Sequence, residues 1–119
     1  MDAIQEKARE VGRLLAQTSE YQALKRANDR LEEDREAAPL LGRLANLQDD
    51  FARTLRRGVE PTEEQQTEYE QLLDQVQTMS VYQGVVAAQS NFDRLMMRIN
   101  EEIARGIEAG EQSRIILPS

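Results

Sequence analysis

Apolar residues recur along almost the whole chain at the three- and four-residue intervals of an α-helix, and no long segment alternates like a strand. Four short stripes precede a longer one. The four are Ile4, Ala8, Val11 and Leu15; Tyr21, Leu24, Asn28 and Leu31; Leu40, Leu44, Leu47, Phe51 and Leu55; and Tyr69, Leu72, Val76 and Met79. The fifth stripe comprises Val81, Val85, Phe92, Met96, Ile99, Ile103 and Ile107. The pattern predicts an all-α chain of about five helices.

Residues that favour helix ends lie between the stripes. Gly58 follows two arginines and tolerates the left-handed conformation that ends many helices. Pro39 disfavours helical geometry at the residue before it, so the second and third helices should separate between about Asp34 and Pro39, with Asp34 as a candidate cap. The alternative is a kink within one helix. Capping boxes are predicted at Ser19 with Gln22, Thr62 with Gln65, and Ser80 with Gln83.

The fifth segment is longer than a compact domain of this size can cover. From Val81 to Glu108 it would extend roughly 42 Å, against a radius of gyration of roughly 13–14 Å. We expect one face to pack on the third helix and the flank to form a symmetric dimer. The alternative is that the chain's short helices cover the flank. The predicted interface comprises Val81, Val85, Val86, Gln89, Phe92, Leu95, Met96, Met97, Ile99 and Ile103.

Gln48 and Gln89 each precede a phenylalanine by three residues, on the edge of an apolar stripe. A buried amide without a partner costs about 1–3 kcal/mol, so each would need a hydrogen bond. One hypothesis is a buried polar contact between the third and fifth helices that fixes their register. The other is that both are border residues with solvated amides.

The length of 119 residues predicts one domain, over residues 1–109. Gly110 could end the last helix, which leaves residues 110–119 as a tail. Three consecutive aliphatic residues, Ile115, Ile116 and Leu117, are unusual in a solvated tail. We therefore consider that this tail docks on the bundle or on a neighbouring subunit.

The composition excludes several classes of chemistry. The chain has no Cys and no His, so it offers no thiolate, no imidazole base and no ligands for an iron–sulfur cluster. Carboxylates could still serve as acids, bases or Mg²⁺ ligands, but no convergent group is evident. We therefore expect no enzyme, no catalytic or metal-binding residues and no cofactor. No segment is apolar enough for a membrane span and no leader peptide is evident, so a cytoplasmic protein is expected.

The charge distribution bears on nucleic-acid binding. The net charge of −7 repels phosphate backbones. The densest basic segment contains Arg53, Arg56 and Arg57. One interpretation is an RNA-associated module that contacts nucleic acid through the Arg53–Arg57 end. The other, which we favour, is that these arginines complement the negative end of a helix dipole.

The same segments resemble the YlbF/YmcA family of small bacterial helical proteins, from about Ala3 to Ile107. In SEYQALKRANDRLEEDREAAPLLGRLANLQDDF, five positions fit the family's run: Tyr21, Ala27, Asp34, Leu41 and Gln48. In MSVYQGVVAAQSNFDRLMMRINEEI, five more are in step with the closing helix: Val81, Ala88, Gln89, Leu95 and Ile99.

The resemblance implies an antiparallel helical bundle with long third and fifth helices that associates as dimers or higher oligomers. It also implies a non-catalytic adaptor or regulator with heteromeric bacterial protein partners. The best-known members join YaaT in a complex that promotes competence, sporulation and biofilm formation and is linked to mRNA processing by RNase Y. That complex can carry iron–sulfur clusters through cysteines, and this chain has none, so cluster binding does not transfer.

Overall fold

The computed structural model describes residues 2–116, with side-chain surroundings given for residues 2–112. The described part is all-helical, and the third and fifth helices are the longest, as predicted. The helices are α1 (Asp2–Ala16), α2 (Ser19–Glu33), α3 (Ala37–Arg56), α4 (Glu63–Gln77) and α5 (Ser80–Ile116).

The two middle helices, α3 and α4, form a hairpin around the best-buried core. Leu44 and Leu47 of α3 pack on Leu72 and Val76 of α4, and only 1% of Val76 is exposed. Gly58, at φ 75°, lies in the connecting turn, as its position in the sequence predicts.

Two predicted helix boundaries are confirmed. At the start of α4, the Gln65 amide N–H donates to the Thr62 hydroxyl at 3.1 Å, and the Thr62 N–H donates to the Gln65 side chain at 3.0 Å. Between α2 and α3, one Asp34 carboxylate oxygen accepts from the backbone N–H groups of Glu36 and Ala37, both at 2.9 Å. Pro39 therefore lies in the first turn of α3, where it disrupts few helical bonds.

The other two predicted capping boxes are wrong. Thr18, one residue earlier than predicted, caps α2 by accepting from the Tyr21 N–H at 3.2 Å. Gln22 and Gln83 instead donate their side-chain amides backwards, to the carbonyl oxygens that end α1 and α4, at 2.8 Å and 3.4 Å. Those carbonyls belong to Ala16 and Gln77. Both glutamines therefore stabilise a helix corner by satisfying a carbonyl that the preceding helix leaves free.

The helix that packs most extensively on α5 is α2, and the predicted packing of α3 along α5 is wrong. The rings of Tyr21 and Phe92 lie 5.8 Å apart, and Leu24 and Ala88 are both 8% exposed. The N-terminal end of α2 lies beside Arg98 and its C-terminal end beside Val81, so α2 and α5 are antiparallel. The predicted packing of α3 on α5 does not form because α4 already occupies the apolar face of α3.

The described part of the molecule is elongated. Its radius of gyration is 21.5 Å and its principal extents are 69 × 38 × 22 Å. A compact domain of this length would have a radius of gyration of about 13–14 Å. The chain therefore exposes much more surface to solvent than a compact domain of the same length would.

The last helix does not end where the sequence suggests. It continues through Gly110 to Ile116, so the predicted boundary between residues 109 and 110 is not a helix end. A glycine inside a helix costs about 1 kcal/mol relative to alanine, which the helix-favouring residues around it can offset. The predicted docking of the tail falls on residues 117–119 and on the side chains of Ile115 and Ile116, which lie outside the described residues.

Candidate functional site: an open apolar cleft

An apolar cleft lies between α1 and the distal half of α5. It has a volume of about 430 Å³ and is lined by Ala3, Ile4, Lys7, Ala8, Val11 and Ile103. Lys7 is the one charged residue of the lining, and a lysine can lay its aliphatic stem on apolar surface while its ammonium stays in water. We call this feature the α1–α5 cleft.

The cleft exists because α1 is amphipathic but its apolar face packs on little of the described chain. Its apolar residues recur on one face, but none of the described residues of α1 is buried. Ile4 is 66% exposed and Leu14 is 65% exposed. The helix contacts α2 but does not pack extensively on α5, so its apolar face borders an open space.

On the α5 side the cleft is lined by Ile103, and Ile107 lies one turn further along the same apolar stripe of α5. Ile103 is 55% exposed and Ile107 is 67% exposed. Full burial of an isoleucine side chain contributes about 1.5–3 kcal/mol, so this wall leaves substantial favourable burial unused. Isolated exposed aliphatic residues are ordinary, but two facing helices with open apolar sides are typical of an interaction surface.

The structure divides the predicted interface residues of α5 between two environments. Six are half-buried: Val81, Val85, Phe92, Leu95, Met96 and Ile99. Four are exposed: Val86, Gln89, Met97 and Ile103. Among all ten, Ile103 borders the α1–α5 cleft. The contribution of α1 was not included in the predicted interface, although the stripe beginning at Ile4 was the signal that could have identified it.

Gln48 and Gln89 do not form a buried contact within the chain, so that hypothesis is wrong for a single protomer. Both are exposed. Gln48 donates to the Tyr69 hydroxyl at 3.2 Å, and Gln89 donates to the Asp93 carboxylate at 2.9 Å. Because α3 packs on α4 rather than α5, the two amides belong to different helix pairs.

The arginine-rich end of α3 is largely explained by the helix itself. Arg53 forms an ion pair with Asp50 one turn earlier, and Arg53 and Arg56 both lie in the last turn of α3. Cations there complement the negative end of the helix dipole.

No group of three or more carboxylates within the described range could hold a metal ion. None of the described helices combines the length and apolarity needed to cross a membrane.

The pKa of Glu20 lies below its ordinary value, first because of a backbone hydrogen bond and then because the Ser19 hydroxyl donates to its carboxylate.

A family model described as "Control of competence regulator ComK, YlbF/YmcA" matches residues 4–108, from the first residue of α1's apolar stripe to the distal part of α5. The chain belongs to the YlbF/YmcA family. The resemblance that the sequence suggests is thereby confirmed, and the match includes both walls of the cleft.

Two curated relatives are UPF0342 proteins. A UPF0342 protein from Alkalihalophilus pseudofirmus is 26% identical over 108 residues, which cover 91% of this chain and 92% of that protein. Another, from Pediococcus pentosaceus, is 23% identical over 105 residues, covering 88% and 92%.

Two solved structures share the fold. Bacillus subtilis RicA, crystallised in complex with RicF, matches with a TM-score of 0.73 and 14% identity, covering 91% of this chain and 96% of that one. A protein of unknown function from Bacillus stearothermophilus matches with a TM-score of 0.66 and 15% identity, covering 97% and 99%. At these identities the likeness establishes the elongated five-helix fold.

Proposed function

We propose that this protein is a non-catalytic regulatory adaptor that acts by docking to other protein chains through the α1–α5 cleft. The observation that carries the proposal is the cleft's two open apolar walls in a chain far more extended than its length requires. Membership of a family described as a competence regulator, and the RicA–RicF complex of a structural neighbour, support a role based on protein association.

The occupant that we propose for the cleft is a second copy of the same chain. Each protomer contributes one α1 and one distal α5, and a two-fold axis would bring two such pairs together as four helices around a shared apolar core. In that arrangement the Ile4 and Ile107 side chains, which are about two-thirds exposed here, would be covered. A two-fold contact uses the same patch on both chains, and the cleft permits this because five of its six lining residues are uncharged.

Light scattering coupled to size-exclusion chromatography tests this proposal. We expect the parent protein to elute as a dimer, with twice the chain mass of 13.6 kDa. Ile103→Glu should produce a folded monomer, because moving a carboxylate from water into this mainly apolar contact costs several kcal/mol.

Val86→Glu is the matched control. Val86 lies on the same helix and is 51% exposed, close to the 55% of Ile103, but it does not line the cleft. This variant should remain dimeric. A monomeric parent protein at high concentration, or equal loss of the dimer in both variants, would contradict the proposed interface.

A further inference from the structure

A second surface lies where the N-terminal end of α2 meets the middle of α5. Its cavity has a volume of about 360 Å³ and is lined in part by Arg26 of α2 and by Arg94 and Arg98 of α5. Glu20 is the single carboxylate in the lining, and Ala23 and Asn91 lie between the charges. We call this surface the arginine groove.

The groove is positive on a molecule whose net charge is −7. Three guanidinium groups face one carboxylate, and the N-terminus of α2 adds the positive end of a helix dipole. The low pKa of Glu20 keeps that carboxylate ionised at neutral pH, yet it can compensate only one of the three cations. Within the lining, two of the three arginines therefore have no carboxylate to pair with.

The three arginines of the groove are not engaged in ion pairs among the described side chains. The ion pairs found among the described side chains use other residues, and all three groove arginines are exposed. Arg94 makes a weak hydrogen bond of 3.4 Å to the Ser90 hydroxyl. Like charges gathered on one surface repel each other, so their convergence points to a role in binding an anion.

The surface next to the arginine groove indicates what kind of anionic partner the groove binds. A neighbouring cavity of about 600 Å³ shares Asn91 and Arg94 and adds Tyr82, Val86 and Ala87. Val86 is 51% exposed, so an accessible apolar side chain lies next to the arginines of the groove. From Tyr82 to Arg98 this surface follows α5 for about 24 Å, the length of a four- to five-turn helix.

We propose that the arginine groove binds an acidic amphipathic helix of a second protein. The partner's carboxylates would pair with Arg94, Arg98 and Arg26, since the guanidinium fork fits a carboxylate with two parallel hydrogen bonds. Its apolar residues would cover Val86 and the Tyr82 ring. A nucleic acid fits less well, because one tyrosine is a poor base-stacking platform and the overall charge repels phosphates.

The chain's own acidic helix does not meet this requirement. The carboxylates of α4 include Glu63, Glu64 and Glu68, but the apolar residues of that helix, Leu72 and Val76, are buried against α3. A second copy could therefore not present α4 with its apolar face free. The groove thus fits a different protein, and it lies on different residues from the cleft proposed for self-association.

Fluorescence anisotropy with a labelled synthetic helix tests the proposal on the full-length protein. The probe is a leucine-faced amphipathic peptide with glutamates four residues apart, compared with the same peptide carrying glutamines and with a single-stranded RNA of equal length. We expect the acidic peptide to bind at about 0.05 M salt and to bind more weakly at about 0.3 M. The glutamine peptide should bind about tenfold more weakly.

The variants locate the binding. The double variant Arg94→Glu/Arg98→Glu should weaken binding of the acidic peptide about tenfold or more, and Arg94→Lys/Arg98→Lys should fall between it and the parent. Arg56→Glu/Arg57→Glu makes the same change of net charge at the far end of α3 and should bind like the parent. Circular dichroism on every variant verifies that the helices are retained.

The proposal is overturned if the acidic peptide does not bind, if both double charge reversals weaken it equally, or if the RNA binds better. Ile103→Glu should leave peptide binding intact. That result separates this inference from the proposed function, because dimer formation and peptide binding in the arginine groove are then measured independently.

Discussion

The two halves of α5 carry the same apolar stripe but have different surroundings. In the proximal half, α2 packs alongside, and Ala88 is 8% exposed. In the distal half, α1 does not pack extensively on the helix, and Ile107 is 67% exposed. Apolar periodicity therefore shows which face of a helix is favourable to bury. It does not show whether the partner that covers this face lies in the same chain or in another one.

The largest contrast between the halves should appear on side-chain truncation. Leu24→Ala removes a buried side chain from the contact between α2 and α5 and should lower the free energy of unfolding by about 2–4 kcal/mol at any protein concentration. Ile107→Ala should reduce only the part of the stability that depends on protein concentration, because Ile107 is covered only in the dimer. Urea unfolding over a range of protein concentrations measures both effects.

A concentration-independent loss of stability in Ile107→Ala would show that this side chain packs within one chain. A concentration-dependent loss in Leu24→Ala would show that the proximal half also contributes to the dimer. Either outcome would remove the distinction between the two halves.

A smaller effect should come from the hairpin, which belongs to neither half. Thr62→Ala removes the hydroxyl that accepts from the Gln65 N–H at 3.1 Å and should cost about 1 kcal/mol of stability. The dimer should persist, because α4 does not border the cleft. Thermal unfolding and light scattering on the same sample measure both, and a monomeric Thr62→Ala protein would mean that the hairpin is coupled to the interface.

The smallest effect concerns Glu20, beside the arginine groove. Its pKa is lowered in the folded state, so its contribution to stability is present above the unfolded-state pKa and is lost as the pH falls through the folded-state pKa. Glu20→Gln should therefore be slightly less stable than the parent at neutral pH and should match it in acid. Melting temperatures from pH 7 downwards measure this, and a difference that grows in acid would contradict the assignment.

Local features of the fold were predictable from the sequence. The Thr62–Gln65 capping box, the turn at Gly58 and the break at Asp34 depend on a few neighbouring residues, so sequence spacing is sufficient to find them. Thr18 was missed as the cap of α2 because the adjacent Ser19 carries the same hydroxyl group.

The choice of helix partners was not predictable in this way. The stripes of α2 and α3 look equally suitable for α5, and the short connection at Gly58 together with the fit of Leu72 and Val76 decides that α3 packs on α4. The same error placed Gln48 opposite Gln89. The α1 side of the cleft, which supplies five of the six lining residues, was missed for a related reason. The α1 stripe has the periodicity of a buried helix, and periodicity does not report whether another element covers it.

The most direct test of the proposed dimer is an inter-spin distance measurement. The chain has no cysteine, so a single introduced cysteine can carry a spin label without background. We expect labels at Ile107→Cys to report a short distance between protomers. Labels at Val59→Cys, also an exposed position but in the α3–α4 connection and outside the cleft lining, should report a much longer one. Absence of dipolar coupling at Ile107, or a shorter distance at Val59, would contradict the proposed self-association through the α1–α5 cleft.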